Sequence, residues 1–132
     1  MIKIFRQTRR AIYIEFDEEG NDNLIKMFSQ IREGKKFALT VEFDMAVVKM
    51  KRAQEQVYEL LVENDNKVNG SNIYFQDGRI MWKIDDEYTD MGLERFQRCK
   101  EQGFFLPAEF MYVQVPKKKD LDCMYCDLIS GL

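Results

Sequence analysis

Histidine is absent from this 132-residue sequence, and that absence excludes several kinds of catalytic site. Serine and cysteine nucleophiles activated by histidine, histidine general bases and histidine-ligated zinc all need the imidazole ring. The seven glycines are scattered singly, so there is no glycine-rich phosphate loop of the Walker or Rossmann type. We therefore predict a protein that is not an enzyme and that carries no cofactor and no metal.

Cysteine is scarce as well. Cys99, Cys123 and Cys126 do not make an even disulfide framework, and we interpret them as free thiols. Cys123 and Cys126 have CxxC spacing, but Asp122 and Asp127 beside them would raise a thiol pKa rather than lower it. Zinc would need four ligands, so neither a redox nor a zinc site is favoured.

Long apolar runs are also missing. No stretch approaches the roughly 18 residues that a membrane-spanning helix needs, and the first ten residues lack the apolar region of a signal peptide. We therefore expect a cytoplasmic protein that does not contact a membrane. The net charge of −3 weighs against general nucleic-acid binding. Two short basic clusters, Arg6/Arg9/Arg10 and residues 117–119, are interpreted as solvated loops.

The strongest local signal is a β-hairpin in residues 71–84. Asp77-Gly78 favours a type I′ turn, because both central residues of that turn need positive φ. The turn pairs Tyr74 with Met81 on one face of the two strands. Five apolar side chains then share the other face, which we expect to contact helices: Ile73, Phe75, Ile80, Trp82 and Ile84.

Apolar spacing predicts the remaining elements. Alternation indicates strands at residues 2–5, 11–16, 36–43 and 110–115, with extended structure also at 47–48. Helical spacing indicates helices at about 21–33, capped by Asn21 or Asp22, at 52–64, from 85–87 to Gly103, and at 121–128.

The chain also shows a weak internal similarity. Shifting the sequence by 69 positions without gaps aligns Ile4 with Ile73, Leu24 with Leu93 and Gly34 with Gly103. The same order of strand, strand, helix and strand recurs in that register. We predict one α+β domain over residues 1–132, with a mostly antiparallel sheet and helices on one face. Two pseudo-symmetric ββαβ halves would occupy residues 1–45 and 70–116.

The candidate binding surface combines carboxylates with exposed aromatic residues. Tyr74 and Met81 would lie on the sheet face opposite the helices, where Tyr13 and Tyr112 could join them, and such residues are enriched at protein interfaces. The predicted partner-binding residues are Tyr74, Met81, Asp85, Asp86, Glu87, Asp90, Glu15 and Asp17. The leading hypothesis is an inhibitor or immunity protein that neutralises a basic protein such as a toxin or nuclease.

Two alternatives remain open at this point. One is a metal-dependent enzyme that uses the carboxylates of Glu15, Asp17, Asp85 and Asp86. The other is a homodimeric structural or accessory protein that uses the same sheet face against a second copy.

Overall fold

The computed structural model describes residues 1–49 and 55–129. The strands are β1 (Ile2–Thr8), β2 (Ala11–Phe16), β3 (Phe37–Asp44), β4 (Glu55–Asn64), β5 (Ser71–Gln76), β6 (Arg79–Ile84), β7 (Glu109–Val113) and β8 (Asp122–Leu128). The helices are α1 (Glu18–Arg32), α2 (Ala46–Lys49) and α3 (Asp86–Gln102). Within these ranges, no helix combines the length and the apolar character that crossing a membrane requires.

The β5–β6 hairpin confirms the predicted register. Tyr74 pairs with Met81 and Ile73 with Trp82, and the turn residues Asp77 and Gly78 have φ of 52° and 79°. Those angles are the positive φ values that the type I′ turn requires. Trp82 is fully buried, so the hairpin supplies one of the largest side chains of the core.

The eight strands form one sheet in the order β5-β6-β4-β3-β1-β2-β8-β7. Four neighbouring pairs are antiparallel and three are parallel. The two edges of the sheet meet where β5 contacts the residue after β7. The amide of Ile73 donates to the carbonyl of Gln114 (3.1 Å), and the amide of Gln114 donates to the carbonyl of Ser71 (2.8 Å). The sheet therefore closes on itself, and the predicted α+β class with a mostly antiparallel sheet is confirmed.

The two long helices pack side by side against the inner face of the sheet, as predicted. They run antiparallel, since Asp22 near the start of α1 pairs with Lys100 near the end of α3 (2.8 Å). Phe28 of α1 stacks on Phe96 of α3 (5.6 Å between ring centroids) and meets the Trp82 ring edge-on (6.1 Å). Burial of such large aromatic side chains is the main favourable term for this core.

Both long helices begin at an aspartate that ends a strand. Asp17 is the N-cap of α1 and accepts a hydrogen bond from the amide of Gly20 (2.7 Å), so the predicted caps Asn21 and Asp22 are wrong. Asn21 is instead buried and donates to the carbonyl of Phe96 (3.2 Å). The predicted end of α3 is confirmed, because Gly103 adopts φ of 82° at the C-cap.

Three secondary-structure predictions are wrong. Residues 55–64 form β4 and not a helix, residues 122–128 form β8 and not a helix, and residues 46–49 form the short helix α2 and not extended structure. The start of the predicted helix at residues 52–54 lies outside the described residues. In β4 and β8 apolar pairs such as Leu60-Leu61 and Met124-Tyr125 imitate helical spacing, although their members point to opposite faces of the strand.

Each half of the chain contains two strands, one long helix and two further strands, with the short helix α2 between the last two strands of the first half. The predicted ββαβ halves are therefore each one strand too short, because they leave out β4 and β8. The hairpin partners Ile4 and Ile14 correspond to Ile73 and Trp82, which are offset by 69 and 68 residues respectively. A β-bulge between Arg6 and Thr8 supplies the extra residue. This bulge explains why an ungapped shift by 69 positions finds so few identities.

Candidate partner-binding surface

Three aromatic rings form a stacked row on the outer face of the sheet, which we call the aromatic ladder: Phe5, Tyr13 and Tyr125. The ring centroids of Phe5 and Tyr13 are 5.7 Å apart, and those of Tyr13 and Tyr125 are 5.1 Å apart. The planes within each pair differ by 24° and 21°. All three side chains are half-buried, so part of each ring remains accessible to a partner.

Strand register places the three rings in one row. Phe5 of β1 pairs with Tyr13 of β2, which pairs in turn with Tyr125 of β8. Side chains alternate between the two faces of a strand, and the neighbours Ile4 and Ile14 are fully buried on the inner face. Because burial of Ile4 and Ile14 fixes the orientation of β1 and β2, the rings of Phe5 and Tyr13 must point to the outer face.

Carboxylates surround the ladder. Five carboxylates and two further side chains on the same outer face, together with the ladder, form what we call the acidic aromatic surface. These seven residues are Lys3, Glu15, Glu42, Glu55, Val57, Glu109 and Asp127. Five carboxylates and one ammonium group give these seven residues a net charge of −4. Val57 is 65% exposed and adds apolar area to this surface. The surface is therefore both strongly acidic and partly apolar.

Two residues of this surface have shifted pKa values. The hydrogen bond and ion pair with Glu55 (3.0 Å) raise the pKa of Lys3, and the charges of Glu15 and Glu42 raise it further. The pKa of Tyr125 is raised first by its hydrogen bond with Cys123 and also by the charge of Glu109. The carboxylates of this surface thus favour the charged form of Lys3.

The hairpin residues predicted as partner contacts lie elsewhere on the outer face. Tyr74 and Met81 pair with each other there, with the ammonium group of Lys83 over the Tyr74 ring at 5.9 Å from its centroid. In the sheet order, β7 on one side and β3 and β4 on the other separate this pair from the ladder. The hairpin pair and the ladder are therefore distinct patches.

Most of the predicted carboxylates belong to the helix ends. Asp85 is the N-cap of α3 and accepts hydrogen bonds from the amides of Tyr88 and Gly70 (both 2.9 Å). Asp86 and Glu87 are exposed in the first turn, and Asp90 pairs with Arg32 (3.1 Å). Acidic residues at the start of a helix stabilise it by capping and through the helix dipole. Their presence at the start of α3 is therefore explained without a binding partner.

Asp17 has the same capping role in α1. Its pKa is lowered first by the hydrogen bond from the Met1 amine (2.7 Å) and next by that from the Gly20 amide. Because α1 and α3 are antiparallel, Asp17 and Asp85 lie at opposite ends of the helix pair, about 20 Å apart for a helix of this length. Of the eight predicted residues, only Glu15 lies on the acidic aromatic surface.

The carboxylates named for a metal-dependent enzyme do not converge. Glu15, Asp17, Asp85 and Asp86 are divided between the two ends of the helix pair. In residues 1–49 and 55–129, no three histidine, cysteine, aspartate or glutamate side chains are grouped closely enough to hold a metal ion. Where the structure describes the chain, it therefore offers no ready-made metal site.

The CxxC segment lies within β8. Residues three positions apart on a strand point to opposite faces of the sheet. Cys123 is therefore half-buried on the outer face, whereas Cys126 is buried on the inner face. Burial raises the pKa of Cys123 and of Cys99, and that of Cys126 most strongly. Thiols with raised pKa values on opposite faces of a strand are typical of structural cysteines.

Sequence reasoning identified Tyr13 as an outward residue but missed Phe5 and Tyr125. Phe5 was treated only as part of the first strand, and Tyr125 was assigned to a terminal helix. The spacing of Ala11, Tyr13 and Glu15 against Cys123, Tyr125 and Asp127 would have placed the residues side by side once β8 was recognised as a strand. The missing information was therefore the pairing partner of β2.

No protein-family model matches this chain, and no curated protein matches it. The function is accordingly inferred from the geometry and charge of the surface.

Proposed function

We propose that this protein is a non-enzymatic inhibitor, of the immunity-protein type, that binds a basic protein partner through the acidic aromatic surface. The observation that carries the proposal is a stacked row of three accessible aromatic rings enclosed by five carboxylates. A toxin or nuclease that acts on nucleic acid presents a basic surface, and an acidic protein can cover it.

Arginine is the side chain that best fits this surface. Its guanidinium group stacks on aromatic faces and forms two parallel hydrogen bonds with a carboxylate. Tyr13 is stacked between Phe5 and Tyr125, so the ring face left for a guanidinium group is the face of Tyr125 turned away from Tyr13. Glu109, Glu15 and Asp127 supply carboxylates next to these rings in the strand register. One partner arginine could therefore engage a ring and an acid together.

Charge also favours this partner over two others. A nucleic acid would be repelled, because its phosphates would meet a surface with a net charge of −4. A symmetric homodimer through this surface would place the five carboxylates opposite their own copies, which is unfavourable for an isologous interface. The surface is therefore best matched by a positively charged protein.

The test is affinity capture from the native host with immobilised protein, elution by salt, and mass spectrometry of what is released. The surface variants are Tyr13→Ser/Tyr125→Ser, which removes two rings, and Glu42→Lys, which reverses one exposed charge. The matched controls are Tyr74→Ser, on the separate hairpin patch, and Glu101→Lys, on the exposed side of α3. Circular dichroism establishes that each variant is folded.

We expect one basic protein to be captured in stoichiometric amount and released by moderate salt. Loss of two central aromatic contacts should weaken its binding at least about thirtyfold, since even one such residue contributes about 2 kcal/mol or more. Glu42→Lys should slow association, and both controls should bind normally. The purified partner should lose its activity when one equivalent of the protein is added.

Several results would overturn the proposal. These are capture of no stoichiometric partner, capture that the surface variants leave unchanged, and a captured protein that keeps full activity in the complex.

A further inference from the structure

The two basic sequence clusters meet at the end of the barrel that carries the β1–β2 turn. Arg9 and Arg10 of that turn and the loop of residues 117–120 between β7 and β8 line one cavity of about 260 Å³. Five of its six lining residues are lysine or arginine, and the sixth is Asp120. We call this feature the basic pocket. Arg6, the third member of the first cluster, points into the barrel instead.

Hydrogen bonds to the barrel hold both walls of the basic pocket. The carbonyl of Arg9 accepts from the guanidinium of Arg6 (2.9 Å) and from the ammonium of Lys118 (2.5 Å). The carbonyl of Arg10 accepts from the amide of Cys123 (2.8 Å), and that of Lys118 accepts from the side-chain amide of Gln114 (2.8 Å). The cations are therefore presented on fixed backbone rather than on loosely held loops.

The charge of the basic pocket is only partly neutralised. Arg10 pairs with Asp120 (2.7 Å) and Lys118 with the buried Asp122. Arg9, Lys117 and Lys119 have no ion pair with any residue that the structure describes. Lys117 also has φ of 66°, a conformation that is costly for a residue with a side chain. The electrostatic repulsion between neighbouring cations is reduced when an anion binds between them.

We infer that the basic pocket binds a phosphoryl anion, with Arg9, Lys117 and Lys119 as the ligand-contacting cations. Ammonium and guanidinium groups form short, charge-assisted hydrogen bonds with phosphate oxygens. A cavity of about 260 Å³ has room for a diphosphate group. The five cations line one compact pocket rather than an extended groove, so the ligand is a small phosphorylated molecule or headgroup rather than a nucleic-acid strand.

The test uses inorganic pyrophosphate as the probe, titrated calorimetrically at physiological ionic strength with chloride as the competing anion. The variants are Lys117→Gln, Lys119→Gln and Arg9→Gln, which remove charges that brace no other part of the fold. The matched control is Lys67→Gln, a lysine in the β4–β5 loop that is equally exposed. Lys118 and Arg10 are left intact because each already forms an ion pair with an aspartate.

We expect saturable binding at one site, a higher melting temperature with pyrophosphate, and affinity about tenfold lower for each pocket variant. Lys67→Gln should bind like the unaltered protein. Absence of saturable binding, or an equal loss in Lys67→Gln, would refute the site. Because the acidic aromatic surface takes no part, Glu42→Lys should bind pyrophosphate normally, and either proposal can fail without the other.

A second arm identifies the source of the phosphate. Vesicles of phosphatidylcholine with and without phosphatidylinositol bisphosphate are sedimented with the protein. Pyrophosphate binding together with co-sedimentation that requires the phosphorylated lipid and is lost in Lys117→Gln would assign a headgroup. Pyrophosphate binding without co-sedimentation would assign a free ligand.

Discussion

Arg6 and Asp122 show how one buried ion pair closes an end of the barrel. Their side chains are 8% and 0% exposed, and the guanidinium group donates to both carboxylate oxygens of Asp122 (3.2 and 2.9 Å). The same group donates to four backbone carbonyls, those of Thr8, Arg9, Ala46 and Val47. Arg6 therefore ties the β1–β2 turn and α2 to the start of β8.

Removing the Asp122 charge should be strongly destabilising. In Asp122→Asn, Arg6 and Lys118 keep their charges in a largely buried site without the carboxylate that neutralises them. Breaking a buried pair from one side costs about 3–5 kcal/mol of unfolding free energy. Urea denaturation followed by circular dichroism measures this loss. The comparison requires that the slope of the unfolding free energy against urea concentration is the same in both proteins.

Asp120→Asn is the matched control for that change. Asp120 lies two residues before Asp122 in the β7–β8 loop and also pairs with an arginine, Arg10, but the two side chains are 58% and 68% exposed. An exposed pair contributes about 1 kcal/mol or less, so this variant should unfold almost like the unaltered protein. Equal losses in the two variants would refute the view that burial gives the Arg6–Asp122 pair its importance.

At the scale of elements, the packing of α1 on α3 depends on Gly92. A Cβ atom at this position would lie within 2.7 Å of three atoms of the Phe28 ring. That ring cannot easily move aside, because Phe96, Trp82 and Phe110 enclose it with centroid distances of 5.6–6.1 Å. Gly92 is thus required by close approach of the helices, not by its backbone conformation.

Gly92→Ala should therefore destabilise the protein, although alanine is the better helix former. Propensity alone would stabilise α3 by about 1 kcal/mol. Overpacking of a dense core costs about 1–3 kcal/mol, and we expect a net loss of about 1–2 kcal/mol in thermal or urea unfolding. Shortening the opposing side chain should relieve the clash, so Gly92→Ala should cost less in a Phe28→Leu background. A stabilised single variant, or additive effects in the double variant, would contradict this packing argument.

The elements differ in how well the sequence predicted them, for physical reasons. The register of the β5–β6 hairpin follows from Asp77-Gly78, which fixes its turn, and four of its five predicted inward residues are fully buried. The prediction that Phe75 contacts the helices is wrong, because Phe75 lies next to the turn and is 39% exposed. In β8 the inward positions are Asp122, Met124 and Cys126, so the buried aspartate hides the alternation of a strand. Leu121, Met124, Tyr125 and Leu128 then imitate a helix. A tertiary ion pair with Arg6, 116 residues away, is what makes Asp122 compatible with the core.

At the scale of the whole molecule, strand pairing joins the two repeated halves at two seams. β2 pairs with β8 through six residue pairs, and β4 pairs with β6 through five. The aromatic ladder crosses the first seam, since Tyr13 and Tyr125 come from different halves. No local pattern in the sequence reports such a long-range pairing, so the acidic aromatic surface could not be predicted before the fold was known.

The same seams predict that neither half folds alone. A fragment that ends within the loop after β4 would expose the edges of β2 and β4 and half of the core around Phe28, and exposed strand edges of this kind promote aggregation. We expect residues 1–67 and 68–132 to be separately unfolded by circular dichroism. Mixed in equal amounts, they should regain one cooperative unfolding transition, because each supplies the strands and the helix face that the other lacks. If either fragment alone gave a cooperative transition, the halves would be independent domains, and the seams would be an interface between them rather than the basis of one fold.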